Sequence, residues 1–470
     1  MGLLVELELL TDIEKYLFVE SGIRGGISQI SHRYAEANNK YLKSYDESKD
    51  DSYIIYLDAN NLYGGAMCEF LPTSNFEWNN EEWTKKKILQ LKDDAETGYL
   101  FSVNISLNES LHSHFNNYPL FPESLAIKSR ELNLWQQENY KESDIKKLCL
   151  SFHDKKDYVV NYRYLKMALS LGYNLDCVNK VLQYTQSNFL KQYIMLNTNL
   201  RKESKNEFEK DFYKLMNNSV YGKTMENVRN RINFRLITTE DEALRVKNLK
   251  HFTIFNDNLV GLHINKLKVK LNKPIYLGQC ILDQSKITMA DFHYNFMLKN
   301  IERENINLMM TDTDSFLYNI KNQDIYKIME NNKDKFDLSN YPKNHFLYDS
   351  TNNKTVNKFK DEKAGMQITN AVCLRSKLYS LICENDIISK NTCKGVKQGV
   401  SKKLTINDYN DVRVNRNTKE ISQNVICSKK HELYSMKQIK TALSANDDKV
   451  YISDDNIHTY NFGYKGEKNY

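Results

Sequence analysis

The chain has no long apolar run, no paired cysteines, no internal repeat and no strong charge imbalance, and each absence excludes something. No hydrophobic stretch approaches the roughly 18–20 residues of a membrane-spanning helix, so no membrane partner is expected. Residues 1–10 are apolar but contain Glu6 and Glu8, and they lack a basic start and a small-residue cleavage site. They are not expected to act as a signal peptide. Eight cysteines are scattered singly, with no CxxC pair and no Cys/His cluster at zinc spacing. That usage fits a reduced, intracellular chain without structural zinc. The net charge is only +6, and Lys and Asn are abundant throughout, so the placement of the cations says more than their sum.

What is present is enough for a sizeable core. The chain has 470 residues, 41% of them hydrophobic and 11% aromatic, which argues against disorder and for several subdomains. Residues 53–58 and 98–107 read as buried strands, and 159–171 as a helix. From 186 to 231 the pattern is helical and charged. Residues 256–282 read as strand-like and 283–299 as helix. Further strands are expected around 376–381 and 396–400, and the last seventy residues are polar and mixed. Interleaved strands and helices predict an α+β fold with one central sheet carrying large insertions.

Three stretches carry chemistry. In Asp312-Thr313-Asp314-Ser315, two acids sit between apolar runs, as at the tip of a β-hairpin. If extended, Asp312 and Asp314 leave the same face of the strand. Their mutual repulsion would be relieved by a hard divalent cation, although Asp and Thr are also ordinary turn residues. The second stretch, Asp58-Ala59-Asn60-Asn61-Leu62-Tyr63-Gly64, places a carboxylate at the end of a buried strand. It is not an EF-hand loop, because Tyr63 stands where the sixth-position glycine belongs. The third is Lys214-Leu215-Met216-Asn217-Asn218-Ser219-Val220-Tyr221-Gly222. Helical spacing puts Lys214, Asn218 and Tyr221 on one face, with Lys210 and Lys202 on preceding turns. Ammonium groups ending in Asn and Tyr suit a nucleoside triphosphate. Taken in isolation, the interleaved Glu207, Glu209 and Asp211 favour a solvated amphipathic helix.

Taken in order, the Asp58 stretch, the Lys214 helix and the Asp312–Asp314 hairpin resemble motifs A, B and C of family B DNA polymerases, commonly DxxSLYP, KxxxNSxYG and YxDTDS. The intervening lengths resemble the two insertions of protein-primed members. Leu7-Glu8-Leu9-Leu10-Thr11-Asp12, Ile23-Arg24-Gly25-Gly26-Ile27-Ser28, residues 205–231, Lys394-Gly395-Val396-Lys397 and Asp447-Asp448-Lys449 resemble the polymerases of Maverick/Polinton-type transposons.

The resemblance implies a right-hand polymerase fold of palm, fingers and thumb. Palm with motif A would cover 1–112, a first insertion contacting a priming protein 113–160, and palm again 161–184. Fingers with motif B would cover 185–224, a second insertion encircling DNA 225–262, palm with motif C 263–394, and thumb 395–470. It implies catalysis by two Mg²⁺ ions, or Mn²⁺, about 3.5–4 Å apart. Asp58, Asp314 and the Ala59 carbonyl would be the metal ligands, with Asp312 a third catalytic carboxylate that holds the hairpin or a water rather than a metal. Lys214, Lys210 and Lys202 would meet the dNTP triphosphate, Asn218 and Tyr221 the nascent base pair, and Tyr63 the deoxyribose, excluding a 2′-OH. Lys377-Leu378-Tyr379 resembles the KxY motif, with Lys377 and Tyr379 sharing a strand face toward the primer. Arg24-Gly25-Gly26 resembles the YxGG motif near the template.

The chain departs from these patterns at Ile23, Asn61, Gly64 and Met310, none of which removes a catalytic charge. Only about twenty residues precede the YxGG-like segment, so no exonuclease domain and no proofreading are expected. The expected partners are template-primer DNA, dNTPs and a terminal priming protein. The expected compartment is the nucleus if the source is a eukaryotic mobile element. The rival readings are a non-catalytic DNA-binding relic and a two-metal nuclease, and the latter has no use for the Lys214 helix.

Overall fold

The computed structural model describes residues 5–385, 390–429 and 431–466. Its organising element is the strand Ser52–Ala59, every residue of which is buried except Asp58. Tyr53, Ile55 and Leu57 pack into the largest core with Phe316, Tyr318 and Ile320. Ile54 and Tyr56 pack on the other side with Met309, Met310 and Leu317. Burial on both faces is why this strand reads as an unbroken apolar run.

Around it lies a five-stranded antiparallel sheet. Its order is Ser28–Ile30, Ile306–Asp312, Ser315–Lys321, Ser52–Ala59 and Phe359–Asp361. A second sheet pairs Leu71–Trp78, Asn174–Ser187, Thr97–Ser106 and Lys155–Asn161. A third joins Tyr34–Glu36 to Ile368–Arg375, Leu378–Cys383 and Lys390–Cys393. The α+β class holds, but the expected single central sheet does not, because the strands divide among several sheets. The divisions expected at 160, 184 and 262 fall inside Lys155–Asn161, Asn174–Ser187 and Leu259–Ile264.

Three local expectations are corrected. Residues 159–161 close a strand, and the helix begins only at Tyr162, capped by Asn161, whose side chain accepts from the Arg163 amide. Residues 275–282 belong to the helix Ile275–Ala290 rather than to a strand. That helix is buried nearly all round, so it shows no polar face, and periodicity cannot separate it from a buried strand. It continues as a π-helical turn, Asp291–Met297. Residues 396–397 lead into the short helix Gln398–Ser401, which takes up 398–400, so no strand forms there. In the mixed C-terminal region, Thr418–Lys429 and Glu432–Ser444 pair as one long hairpin. Most of Glu432–Ser444 is exposed on both faces. The inner positions of Thr418–Lys429 alternate with exposed ones but mix Ile421, Val425 and Cys427 with Lys419 and Gln423, so the apolar alternation that marks a half-buried strand is weak.

Residues Lys191–Glu203 and Glu207–Thr224 form a helical hairpin, the second helix capped by Asn206, whose side chain accepts from the Glu209 amide. A small sheet of Asn233–Ile237, Leu259–Ile264 and Leu249–Asn256 follows. Its Phe255 ring meets His431 at the turn of the C-terminal hairpin, with centroids 5.4 Å apart. No helix among the described residues is long and apolar enough to cross a membrane.

Candidate active site

Strand register brings the two distant carboxylates together. Ser315 pairs with Asp58, and the Ala59 amide donates to the Asp314 carbonyl at 2.7 Å. The hairpin tip is tighter than extended strand. Thr313 has φ +65°, in the left-handed region, and the Asp314 amide donates to the Asp312 carbonyl at 2.8 Å. Asp312 and Asp314 therefore do not leave one face of a strand as expected. The kink divides them.

Asp314 lines a cavity of about 560 Å³ together with Asp58, while Asp312 is not among its lining residues. Asp312 Oδ1 lies 3.3 Å from Lys377 Nζ. The tip is braced from behind by the Arg24-Gly25-Gly26 loop, since the Thr313 amide donates to the Ile27 carbonyl at 2.7 Å. A Cβ on Gly26 would sit 2.6 Å from the Thr313 side chain, so that close approach requires glycine.

The same cavity receives Ala59, Asn60, Asn61, Leu62 and Tyr63 from the turn after Asp58, and Lys214 and Asn218 from the second helix of the hairpin. Tyr221, one turn beyond Asn218, stacks on Tyr63 with centroids 4.7 Å apart and planes at 27°. At Gly64, where the family pattern has Pro, a Cβ would lie 2.1 Å from Asn61 Nδ2. Asn61 itself adopts φ +46° as the cap of the helix Leu62–Met67.

Two of the expected phosphate-contacting lysines lie elsewhere. Lys210 pairs with Glu207 at 2.6 Å, and Lys202 Nζ is 3.4 Å from Thr355 Oγ1. Neither lines the cavity, because the helices turn them toward other partners. Arg201, Lys354 and Lys360 supply positive charge there instead, with Asp337 and Asn340 on the rim. Asp337 ties the walls together, accepting from Asn60 Nδ2 at 2.6 Å and from the Lys354 amide at 2.8 Å. Arg201 was one position from an expected residue, and one position on a helix turns the side chain by about 100°. Lys354 and Lys360 had no sequence signal, since both arrive from segments beyond motif C.

Lys377 has φ +59° and precedes the strand Leu378–Cys383, so it does not share a strand face with Tyr379 as expected. Tyr379 is buried, with its hydroxyl 3.2 Å from that of Tyr56. Arg24 is drawn into the protein. Its Nη1 donates to the Val159 carbonyl at 2.9 Å, and its guanidinium lies 3.6 Å over the Tyr158 ring. Gly25 is exposed and has nothing within 4 Å of a notional Cβ.

Electrostatics single out the Asp58–Asp314 pair. Burial pushes the Asp58 carboxyl up to about 6, with Lys360 pulling it down and Asp314 and Glu362 adding to the rise. Burial likewise raises Asp314, helped by the nearby charge of Asp312. Two half-buried carboxylates whose protons are held this tightly are under-compensated anions, which is the environment a hard cation relieves. Among the described residues no three acidic, His or Cys side chains converge as a metal cluster. A metal shell here would need backbone oxygens, such as the Ala59 carbonyl, and substrate oxygens beside the two carboxylates. The residues present fit such an ion.

Comparison with known proteins agrees with this architecture. The family described as DNA polymerase type B, organellar and viral, matches residues 9–273, which span the Asp58 turn and the Lys214 helix. No curated protein matches the chain. Phi29 DNA polymerase complexed with primer-template DNA, a post-translocation binary complex, is similar with a TM-score of 0.56 at 15% identity. That match covers 92% of this chain and 63% of that one. The same enzyme complexed with primer-template DNA and incoming nucleotide substrates gives 0.55 at 14% identity, covering 93% and 64%. The chain thus spans less than two thirds of the length of these structures, and the shared fold is the right-hand polymerase fold.

Proposed function

We propose, for a chain that belongs to the organellar and viral type B DNA polymerases, that it is a template-directed DNA polymerase adding dNMPs to a primer 3′-OH. The observation that carries this reading is the meeting of Asp58, Asp314, Lys214 and Tyr63 around one cavity. Asp58, Asp314 and the Ala59 carbonyl would hold two Mg²⁺ ions, or Mn²⁺. Bound there, such ions supply Lewis-acid stabilisation for nucleotidyl transfer.

The chain's own residues orient the reactants. Lys214, Arg201 and Lys354 meet the triphosphate, where negative charge grows in the transition state. Asn218 and the stacked Tyr221 face the nascent pair, and the Tyr63 ring occupies the space a 2′-OH would need. Lys202 and Lys210 remain proposed phosphate contacts only after their helices turn. Asp312, paired with Lys377, sets the hairpin tip.

DNA would lie along the basic side of Lys377. A cavity of about 460 Å³ there is lined by Lys147, Arg375, Lys377, Lys394, Lys440 and Lys449, with Asp447 and Asp448. Such a groove suits phosphodiester contacts. The Phe255–His431 contact supports a second insertion, over 225–262, that reaches the thumb (395–470) around the duplex. Palm would cover 1–112, 161–184 and 263–394, and fingers 185–224. Residues 113–160 would contact a terminal priming protein, as in protein-primed replication of a Maverick/Polinton-type or viral element. For a eukaryotic element that work takes place in the nucleus. The stretches Ile23-Arg24-Gly25-Gly26-Ile27-Ser28 and Lys394-Gly395-Val396-Lys397 support the Maverick/Polinton-type assignment.

Primer extension with Mg²⁺ on an oligonucleotide-primed and a protein-primed template tests the reading. The enzyme extends a primer and Asp314→Ala does not. DNA binding without extension by the unaltered chain would identify a relic, and nucleotide release without dNTP consumption a nuclease.

A further inference from the structure

Lys360 is the charged group of the cavity for which the polymerase reading has no use. The strand Phe359–Asp361 pairs with Ser52–Ala59 so that Lys360 stands directly opposite Asp58. Cross-strand neighbours of this kind hold their Cβ atoms about 4.5–5.5 Å apart. Lys360 Nζ lies 3.2 Å from Asp58 Oδ1 and 2.8 Å from Glu362 Oε1.

The short strand cannot drift away. Phe359 is buried, and the Asp361 carboxylate accepts from the Lys363 amide at 2.8 Å, the Gly365 amide at 3.0 Å and the Tyr341 hydroxyl at 2.9 Å. Glu362 is fixed too, its amide donating to the Tyr56 carbonyl at 2.8 Å. The ammonium therefore has two anchored carboxylates, and leaving Asp58 still leaves it paired with Glu362.

We propose that Lys360 is a built-in counter-cation of the carboxylate site, competing with divalent ions for Asp58 and so lowering the metal affinity of the nucleotide-free protein. This rests on the metal-site reading above. The effect is electrostatic and local: a positive charge within contact distance of a metal ligand both repels the ion and occupies its ligand. An incoming triphosphate gives the ammonium a further anion, which would favour release of Asp58 to the metal. Lys360 thereby delays metal loading until substrate is present.

The test is Mn²⁺ binding to the protein without DNA or nucleotide, with free ion read by electron paramagnetic resonance. Lys360→Met and Lys360→Gln both remove the charge, and either one, once folded, serves. About tenfold tighter Mn²⁺ binding is expected, the partial exposure of the site screening a larger gain. Lys360→Arg should stay near the unaltered protein. Equal or weaker binding by the neutral variants would overturn the assignment, and so would tight binding by Lys360→Arg. Those results leave the metal-site reading standing. Absence of saturable binding in every protein would overturn both.

Discussion

Tyr63 and Tyr221 stack face on face, 4.7 Å between centroids, although one follows the Asp58 turn and the other closes the Lys214 helix. The pair locks the orientation of the ring proposed to exclude a 2′-OH. Tyr63→Ala should lower discrimination in kcat/KM between dNTPs and rNTPs by at least about tenfold, while Tyr63→Phe keeps it. Tyr221→Ala should lose part of it, because Tyr63 is then free to tilt. Incorporation assays with both nucleotide types check this, and unchanged rejection of rNTPs by Tyr63→Ala would defeat the role given to the ring.

Kinking at Thr313 separates the two hairpin acids in space. Asp314→Asn should lower the rate of extension by roughly 10³-fold or more, with DNA affinity kept. Asp312→Asn removes only the partner of Lys377 and should cost far less. Single-turnover extension at saturating dNTP distinguishes them. Equal losses would mean that Asp312 also reaches the reacting groups.

Asp58 makes stability depend on pH. Its folded-state pKa, about 6, exceeds the ordinary 3.8. The folded chain therefore binds this proton more tightly than the unfolded chain, and stability falls as pH rises between those two values. Without metal, Asp58→Asn should raise stability at pH 7 by on the order of 1–2 kcal/mol, discounted for partial exposure. The two proteins should converge as pH drops below about 4. Thermal melts across pH read the crossover, and a variant less stable at pH 7 contradicts the assignment.

Gly26 permits the close approach of its loop to the hairpin tip. Gly26→Ala puts a methyl into the Thr313 side chain and should destabilise by about 1–3 kcal/mol. Thr313→Ala, which removes the opposing atoms, should restore much of that loss. A double-mutant cycle measures the coupling, and additive effects would separate the two sites.

The basic groove beside Lys377 predicts salt-dependent DNA binding. Lys377→Ala should lower the slope of log K against log salt by about 1, as one phosphate contact is lost. Titrations over a range of salt measure it. An unchanged slope removes Lys377 from the interface.

Much of the site was legible because its chemistry is local. The buried strand before Asp58, the hairpin around Asp312 and Asp314, and the helical spacing of Lys214, Asn218 and Tyr221 all follow short periodicities. Illegible were features without periodicity. The helix Ile275–Ala290 is buried nearly all round, the strand Glu432–Ser444 of the C-terminal hairpin is exposed on both sides over most of its length, and Lys377 sits in a left-handed turn. Lys202 and Lys210 had the right charge and spacing, yet Thr355 and Glu207 take them.

By itself the sequence determined which residue types were available and in what order: a carboxylate after a buried strand, a lysine helix, and a pair of acids at a turn. Tertiary structure alone decided which of them meet. Asp58 and Asp314 converge because strands far apart in the chain pair in one register, and Asp312 is turned aside by a single left-handed residue. Arg201, Lys354 and Lys360 enter the cavity through packing and strand pairing between distant segments. Side-chain direction at such junctions depends on long-range contacts, to which no local pattern of residues responds.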